Sequence, residues 1–141
     1  MASLQTDAVP DSNVALLLVT CDPDLYARIH EVVCAWRWVL HLRTEPSPVP
    51  GSELPGLIIL DADLSDFDWK AALMALRSRG DDACVLLASR VSDPLLRDEV
   101  VRRGGFDVIA RSASREQLMS VLRFAWFWKK TTSPRLTSLN R

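Results

Sequence analysis

The sequence LIILD at residues 57–61 indicates a buried strand with a polar end, because four consecutive apolar residues lead directly into a carboxylate. The runs VALLLV at 14–19 and ACVLLA at 83–88 have the same character. Continuous apolar runs of this length are typical of strands that are buried on both faces, as in a parallel sheet. The sequence therefore predicts a parallel sheet at the centre of the molecule.

Two further strands are shorter or less uniformly apolar. Residues 106–110 predict a short last strand. Residues 38–43 alternate in character, which predicts a half-buried strand with Trp38, Leu40 and Leu42 on its buried side.

Helix signals lie between the strands. Asp22 and Asp93 each stand directly before a proline, as an N-cap stands before the first helical residue. An apolar stripe at residues 69–76 indicates another helix, and Ser114 is predicted to cap a last helix that ends near Lys130. Alternating buried strands and amphipathic helices predict an α/β fold with helices on both faces of a five-stranded sheet.

The connection between the second and third strands is rich in proline. Residues 44–56 contain four prolines, a density that excludes a regular helix. We expect no helix longer than one turn there, so the helix between these strands is missing or reduced.

Composition narrows the class of protein. The 141 residues are 48% hydrophobic and 25% charged, which suits one globular domain. A formal net charge of -1 argues against a domain that neutralises many nucleic-acid phosphates. No apolar run approaches the ~20 residues of a membrane span, and the N-terminus lacks the features of a signal peptide. We expect a cytoplasmic domain at 14–130 between tails at 1–13 and 131–141.

Polar residues follow the predicted strands. Asp22, Asp61, Ser89 and Arg111 all fall just past strand ends. Ligands of parallel sheets bind at the carboxyl ends of the strands. These four residues are therefore candidates to share one site.

Three stretches carry a family resemblance: LIILDADLSDFDW at 57–69, LLLVTCDPDL at 16–25 and GGFDVIARSAS at 104–114. The order of these segments makes the chain resemble, over residues 14–130, a divergent response-regulator receiver domain of two-component signalling. The resemblance implies a flavodoxin-like, doubly wound sheet. It also implies that Asp61 stands at the phosphoacceptor position of a phosphorelay.

The resemblance implies an incomplete Mg²⁺ site. The two adjacent acids that receivers carry after the first strand fall on Thr20 and Cys21, which offer a hydroxyl and a soft sulfur in place of carboxylates. Weak Mg²⁺ binding is expected, with Asp61 and Asp22 as candidate ligands. Asp22 stands one residue late, and Pro23 favours a role for it as a helix cap instead.

The other positions that the resemblance marks have also changed. The switch hydroxyl position falls on Ala88, with Ser89 beside it, and Arg111 replaces a lysine. Arg111 can grip a phosphate or a carboxylate with two hydrogen bonds. It can equally pair with Asp61 and hold it neutralised, or face solvent.

Two local features have a structural and a chemical interpretation. The acids Asp63, Asp66 and Asp68 are expected to cap helices or to interact with a helix N-terminus. Cys21 and Arg28 resemble the Cys-x5-Arg loop of small tyrosine phosphatases, although their spacing is one residue too long. A buried structural role for Cys21 is the preferred interpretation.

The last predicted helix is apolar nearly all round at its end. Phe124 and Phe127 lie opposite its core stripe, and Trp126 and Trp128 flank that stripe. Such a helix end is either doubly buried or an interface. We expect a homodimer through these four aromatic residues.

A signalling module rather than an enzyme is the function that these features favour, with a sensor histidine kinase or another signalling protein as partner. Two mechanisms stay open. Asp61 accepts a phosphoryl group in a fully competent, Mg²⁺-dependent reaction, or the domain only binds partners. The residues Thr20 and Cys21 favour the second mechanism.

Overall fold

A computed structural model describes residues 14–44, 56–78, 83–91 and 93–132 of the chain. Five strands form one sheet in the order β2-β1-β3-β4-β5, and every adjacent pair is parallel. The α/β fold and the five-stranded parallel sheet predicted from the sequence are confirmed. The strands are β1 (Ala15–Val19), β2 (Val39–Arg43), β3 (Leu57–Asp61), β4 (Cys84–Ser89) and β5 (Asp107–Ala110).

Four helices connect or follow the strands, and their starts match the predicted caps. The side chain of Asp22 accepts a hydrogen bond from the backbone N–H of Asp24, and Asp93 does the same for Leu96. Each cap precedes a proline in the first turn. The helices are α1 (Pro23–Ala35), α2 (Trp69–Ser78), α3 (Pro94–Arg102) and α4 (Arg115–Thr132).

Two hydrophobic layers sandwich the sheet. Leu16 and Leu18 of β1 point into the layer covered by α1 and α4, whereas Leu17 and Val19 point into the layer covered by α2 and α3. Successive side chains of a strand face opposite sides, so a strand buried on both faces must be apolar at every position. This requirement explains the continuous apolar runs in the sequence.

The order of the strands sets the position of a site. The chain moves from β1 outward to β2, and from β3 in the other direction to β4 and β5. The direction of winding therefore reverses between β1 and β3, and ligands bind at the carboxyl ends of strands beside such a reversal.

Several boundary predictions fall wholly or partly outside the described residues. Most of residues 44–56, where we expect no helix, lie outside the described residues. The same holds for the predicted tail at 1–13 and for most of the tail at 131–141. Where the chain is described, α4 reaches Thr132, two residues beyond its predicted end.

The prediction for β2 was partly wrong. Trp38 is buried and Leu40 packs against the core, as expected, but Leu42 is exposed. β2 lies at the edge of the sheet and pairs only with β1. A side chain at the end of an edge strand has neighbours on fewer sides, so alternation alone overestimates its burial.

Removal of the α4 cap should destabilise the fold. The Ser114 Oγ accepts from the backbone N–H of Gln117 at 3.1 Å, and the Gln117 side chain accepts in return from the N–H of Ser114 at 2.7 Å. Ser114→Ala should lower the free energy of unfolding by about 1 kcal/mol. Urea denaturation measures the change, with Ser112→Ala, an exposed serine outside the helix, as the control. Equal stability of Ser114→Ala and wild type would contradict the assignment of the cap.

Candidate functional site

The candidate site lies at the carboxyl edge of the sheet, where polar residues follow the strands. Thr20 follows β1, Asp61 ends β3, Ser89 ends β4 and Arg111 follows β5. Three of these residues, Thr20, Asp61 and Ser89, are the buried polar side chains of the described chain. The topology therefore brings together residues that are distant in the sequence.

Arg111 and Asp61 form a two-pronged ion pair. The Nη1 of Arg111 donates to Oδ1 of Asp61 at 2.7 Å, and its Nη2 donates to Oδ2 at 2.9 Å. Asp61 is only 2% exposed, and the side chain of Arg111 is 17% exposed. Two parallel, charge-assisted hydrogen bonds fix orientation as well as charge, which a lysine ammonium cannot do in the same way.

Two more carboxylates share the same guanidinium. Oδ2 of Asp22 lies 2.7 Å from Nη2 of Arg111, and Oδ2 of Asp63 lies 3.2 Å from Nη1. One positive charge thus faces three carboxylates. Asp22 also caps α1 through its other oxygen, so the predicted capping role and the site role coexist in one side chain.

Neutral donors complete the environment of Asp61. The hydroxyl of Thr20 donates to Oδ2 at 2.5 Å, and the backbone N–H of Asp63 donates to Oδ1 at 2.9 Å. Each carboxylate oxygen of Asp61 therefore accepts one hydrogen bond from Arg111 and one from another donor. At Thr20, where the resemblance implies an acid, the side chain is instead a hydrogen-bond donor to Asp61.

The pKa values follow from this geometry. Burial of the Asp61 carboxyl favours its neutral form, but hydrogen bonds from Arg111, Thr20 and Asp63 outweigh burial and lower its pKa. The hydrogen bond from Arg111 also lowers the pKa of Asp22. The hydrogen bond to Asp61, with that to Asp22, raises the pKa of Arg111 despite its burial. The cluster is therefore charged throughout the neutral range.

The acidic loop after β3 corrects one prediction. Asp68 accepts from the backbone N–H groups of Lys70 and Ala71, so it caps α2 as expected. Asp63 instead contacts Arg111 and accepts from the backbone N–H of Arg90 at 2.9 Å. Its place two residues after Asp61, where a tight turn leads back to the strand end, was the signal that could have identified it.

The switch positions do not supply a free hydroxyl to Asp61. Ala88 pairs with Asp61 in the register of β3 and β4, and its side chain carries no polar atom. The Oγ of Ser89 accepts from the backbone N–H of Val91 at 3.0 Å, within the turn after β4. The backbone carbonyl oxygen of Ser89 accepts a hydrogen bond from the backbone N–H of Arg111 at 3.0 Å. Ser89 thus supports the site through its backbone.

The donor set does not fit a Mg²⁺ ion beside Arg111. Mg²⁺ requires oxygen ligands in octahedral geometry, but the carboxylates of Asp22, Asp61 and Asp63 converge on the guanidinium. In the ranges that the structure covers, no three His, Cys, Asp or Glu side chains are arranged to hold a metal ion.

The geometry contradicts the phosphatase-like alternative. Cys21 is exposed, against the expected buried position, because it lies in the loop past the end of β1. The guanidinium of Arg28 donates to the backbone carbonyls of Arg111 and Ala113, so it is not available to bind a phosphate beside Cys21. The buried thiol of Cys84 has a pKa raised to about 12 by desolvation, which leaves it unreactive.

The aromatic residues of α4 divide into two groups. Phe124 and Phe127 are 68% and 59% exposed, and Trp128 is also exposed and lies beside Phe106, with ring centroids 5.3 Å apart. Trp126 instead packs against the core, edge-on to Trp38. The expectation that Trp126 belongs to an interface is corrected, because its side of the helix faces the sheet.

Solved structures of receiver domains share this fold. The chain is similar to a signal receiver domain of an HD domain-containing protein from Pseudomonas fluorescens, with a TM-score of 0.72 and 17% identity, over 84% of this chain and 98% of that one. It is similar to the receiver domain of the Francisella response regulator 1452, with a TM-score of 0.70 and 14% identity, over 82% and 98% of the two chains. A CheY-like receiver domain from Methanospirillum hungatei gives a TM-score of 0.71 and 11% identity, over 85% and 98%.

The chain therefore has the flavodoxin-like receiver-domain fold. Neither a protein-family model nor a curated protein sequence matches it. Among the described helices, none is long and apolar enough to cross a membrane.

The Arg111 cluster should stabilise the protein in a pH-dependent way. The folded-state pKa values of Asp61 and Asp22 lie below the ordinary value of 3.8. Their stabilisation is therefore present above that value and is lost as the pH falls through the lowered pKa values. Arg111→Met should reduce the free energy of unfolding at pH 7 by about 3 kcal/mol, and the difference from wild type should shrink in acid.

Urea denaturation at a series of pH values measures this effect. Arg97→Met is the matched control, because Arg97 forms an exposed pair with Asp107 at 3.1 Å, away from the site. Its loss should cost at most about 1 kcal/mol. A difference between wild type and Arg111→Met that stays constant down to acid pH would contradict the linkage.

Proposed function

We propose that this chain is a receiver-like signalling module in which Arg111 takes the place of a divalent cation beside Asp61. The module acts through protein–protein contacts and does not require phosphoryl transfer. The observation that carries the proposal is the double hydrogen bond between Arg111 and Asp61. The cation that balances the buried carboxylate is thus part of the chain itself.

The chemistry of Asp61 supports this proposal. An aspartate that attacks phosphorus must present a carboxylate oxygen in line with the leaving group. Both oxygens of Asp61 are already engaged by Arg111, and each also accepts from Thr20 or from the Asp63 N–H. A transferred phosphoryl group would bring further negative charge close to Asp22 and Asp63. Arg111 and the exposed Arg90, which lies 3.7 Å from Asp63, would then face three carboxylates and the added phosphoryl charge.

The partners follow from the class of the fold. A sensor histidine kinase or another signalling protein is the proposed partner, in the cytoplasmic compartment expected from the sequence. The net charge of -1 does not favour a nucleic-acid partner. Signals would pass through surfaces of the domain.

Weak Mg²⁺ binding is the first test. Wild-type protein should not saturate at sub-millimolar Mg²⁺ in a titration followed by tryptophan fluorescence or NMR, because Arg111 competes for the same carboxylates. Arg111→Met should bind Mg²⁺ more tightly than wild type, since it leaves those carboxylates without their cation. Arg97→Met should behave like wild type. Sub-millimolar saturation of wild type that is lost in Asp61→Asn would reject the proposal.

Phosphorylation is the second test. After incubation with Mg²⁺ and a small phosphodonor such as acetyl phosphate, intact-mass spectrometry of the wild type should show no added phosphoryl group. Asp61→Asn serves as the control. A phosphoryl adduct in the wild type that Asp61→Asn abolishes would establish the fully competent phosphoacceptor instead.

We also propose that the module forms a homodimer through α4. The exposed side chains of Phe124, Phe127 and Trp128 form its aromatic surface. Glu116 and Lys130 are both exposed, eight residues before and six residues after Phe124. Antiparallel pairing about a two-fold axis near Phe124 would place Glu116 of one chain beside Lys130 of the other. Charge and apolar area therefore favour the same arrangement.

Sedimentation of wild type and of the double variant Phe124→Ser/Phe127→Ser tests the dimer. Each phenyl ring buried at the contact contributes about 1.5–3 kcal/mol, and association itself costs several kcal/mol. We expect a dimer at high micromolar concentration for wild type and a folded monomer for the double variant. Leu95→Ser, which removes an exposed leucine on α3, should leave the dimer intact. A wild type that stays monomeric would refute this contact.

A further inference from the structure

Arg28 makes contacts that the proposed function has not used. It lies half-buried on α1, and its guanidinium donates to two backbone carbonyls, through Nη1 to Arg111 and through Nη2 to Ala113. These two carbonyls belong to the loop between β5 and α4. One side chain thus spans the loop that carries the cation of the site.

The same loop has two other backbone anchors. The N–H of Arg111 donates to the Ser89 carbonyl at 3.0 Å, and the N–H of Ala113 donates to the Ala110 carbonyl at 2.9 Å. These bonds fix the N–H groups of Arg111 and Ala113, whereas Arg28 fixes the carbonyl groups of the same two residues. Together they determine the orientation of the backbone at Arg111, and with it the direction in which the long side chain leaves the strand end.

The accuracy of that direction matters because Arg111 must reach three carboxylates at once. Its distances to Asp22, Asp61 and Asp63 lie between 2.7 and 3.2 Å. Hydrogen bonds weaken steeply when distance or angle departs from its optimum. A small rotation of the loop would therefore break the double hydrogen bond before it broke the fold.

We propose that Arg28 is a positioning residue for Arg111, which it holds in register with the carboxylates by clamping the carbonyls of Arg111 and Ala113. This inference deepens the proposed function and rests on it, because it assigns the control of the internal cation to α1. Asp22, at the N-cap of the same helix, accepts a hydrogen bond from the guanidinium of Arg111. The helix thus supplies one ligand of the guanidinium and also the clamp on its backbone.

The test is the pKa of Asp61, followed by the NMR shift of its carboxyl carbon. Arg28→Met should raise this pKa by about 0.5–1, a fraction of the 1–3 that an adjacent guanidinium is worth. Arg115→Met is the matched control. Arg115 forms another α1–α4 contact, to Glu31 at 3.9 Å, without touching the loop carbonyls. It should leave the pKa of Asp61 unchanged.

A second measurement separates positioning from general support of the fold. In the Arg111→Met background, Arg28→Met should change the pKa of Asp61 no further, because its effect passes through Arg111. An equal rise with and without Arg111 would overturn the inference, and so would no rise in Arg28→Met when Arg111→Met gives one. Should Arg28→Met not fold, Arg28→Lys replaces it. Lysine keeps the charge but not the fork, so a smaller rise supports the inference and none overturns it.

The inference and the proposed function fail on different data. Phosphoryl transfer to Asp61 in the wild type would reject the proposed function even where Arg28 controls the pKa of Asp61. Conversely, a pKa that ignores Arg28 would reject the clamp while the Mg²⁺ and phosphodonor results still supported the internal cation.

Discussion

A carboxylate buried at the end of a central strand needs a counter-charge, and Arg111 supplies it to Asp61. Transfer of an unpaired ion into a protein interior costs several kcal/mol even after relaxation. The double hydrogen bond, the Thr20 hydroxyl and the Asp63 N–H together offset that cost. The guanidinium of Arg111, which follows β5, thereby binds the end of β3 through Asp61 and the start of α1 through Asp22. The end of β1 joins them through the hydrogen bond from Thr20 to Asp61. The geometry of this end of the sheet depends on that requirement.

Topology makes the meeting of these groups possible. Thr20 and Asp61 are 41 positions apart in the chain, and Asp22 and Arg111 are 89 apart. In a parallel sheet the carboxyl ends of all strands lie at one edge, and the reversal of winding between β1 and β3 leaves that edge open. The same two layers of helices that require the central strands to be apolar leave their carboxyl ends as the place for polar residues such as Asp61 and Ser89. Burial of the strands and assembly of the site thus have one cause.

The sequence predicted what depends on local pattern and could not predict what depends on side-chain direction. The strands 57–61 and 83–88 were evident because both of their faces are buried, and Asp22 was evident as a cap because a proline follows it. Asp63 was assigned to capping together with Asp68, yet the turn after β3 directs its side chain to Arg111. The clamp by Arg28 is beyond sequence reasoning for the same reason. It joins a helix to carbonyls 83 and 85 positions away.

Under the proposed function, a tethered cation responds to different inputs from a diffusible one. Mg²⁺ reaches its site according to its concentration, whereas Arg111 is held near Asp61 by its own backbone at a high and constant effective concentration. The ion pair then changes only when the backbone at Arg111 moves or when a neighbouring carboxylate is withdrawn. Both conditions involve α1. Its Arg28 contacts the backbone at Arg111, and Asp22 at its N-cap is one of the neighbouring carboxylates. A signal that enters such a site would therefore be mechanical, transmitted by a partner that displaces α1 or the loop after β5, and its free energy would have to exceed that of the ion pair.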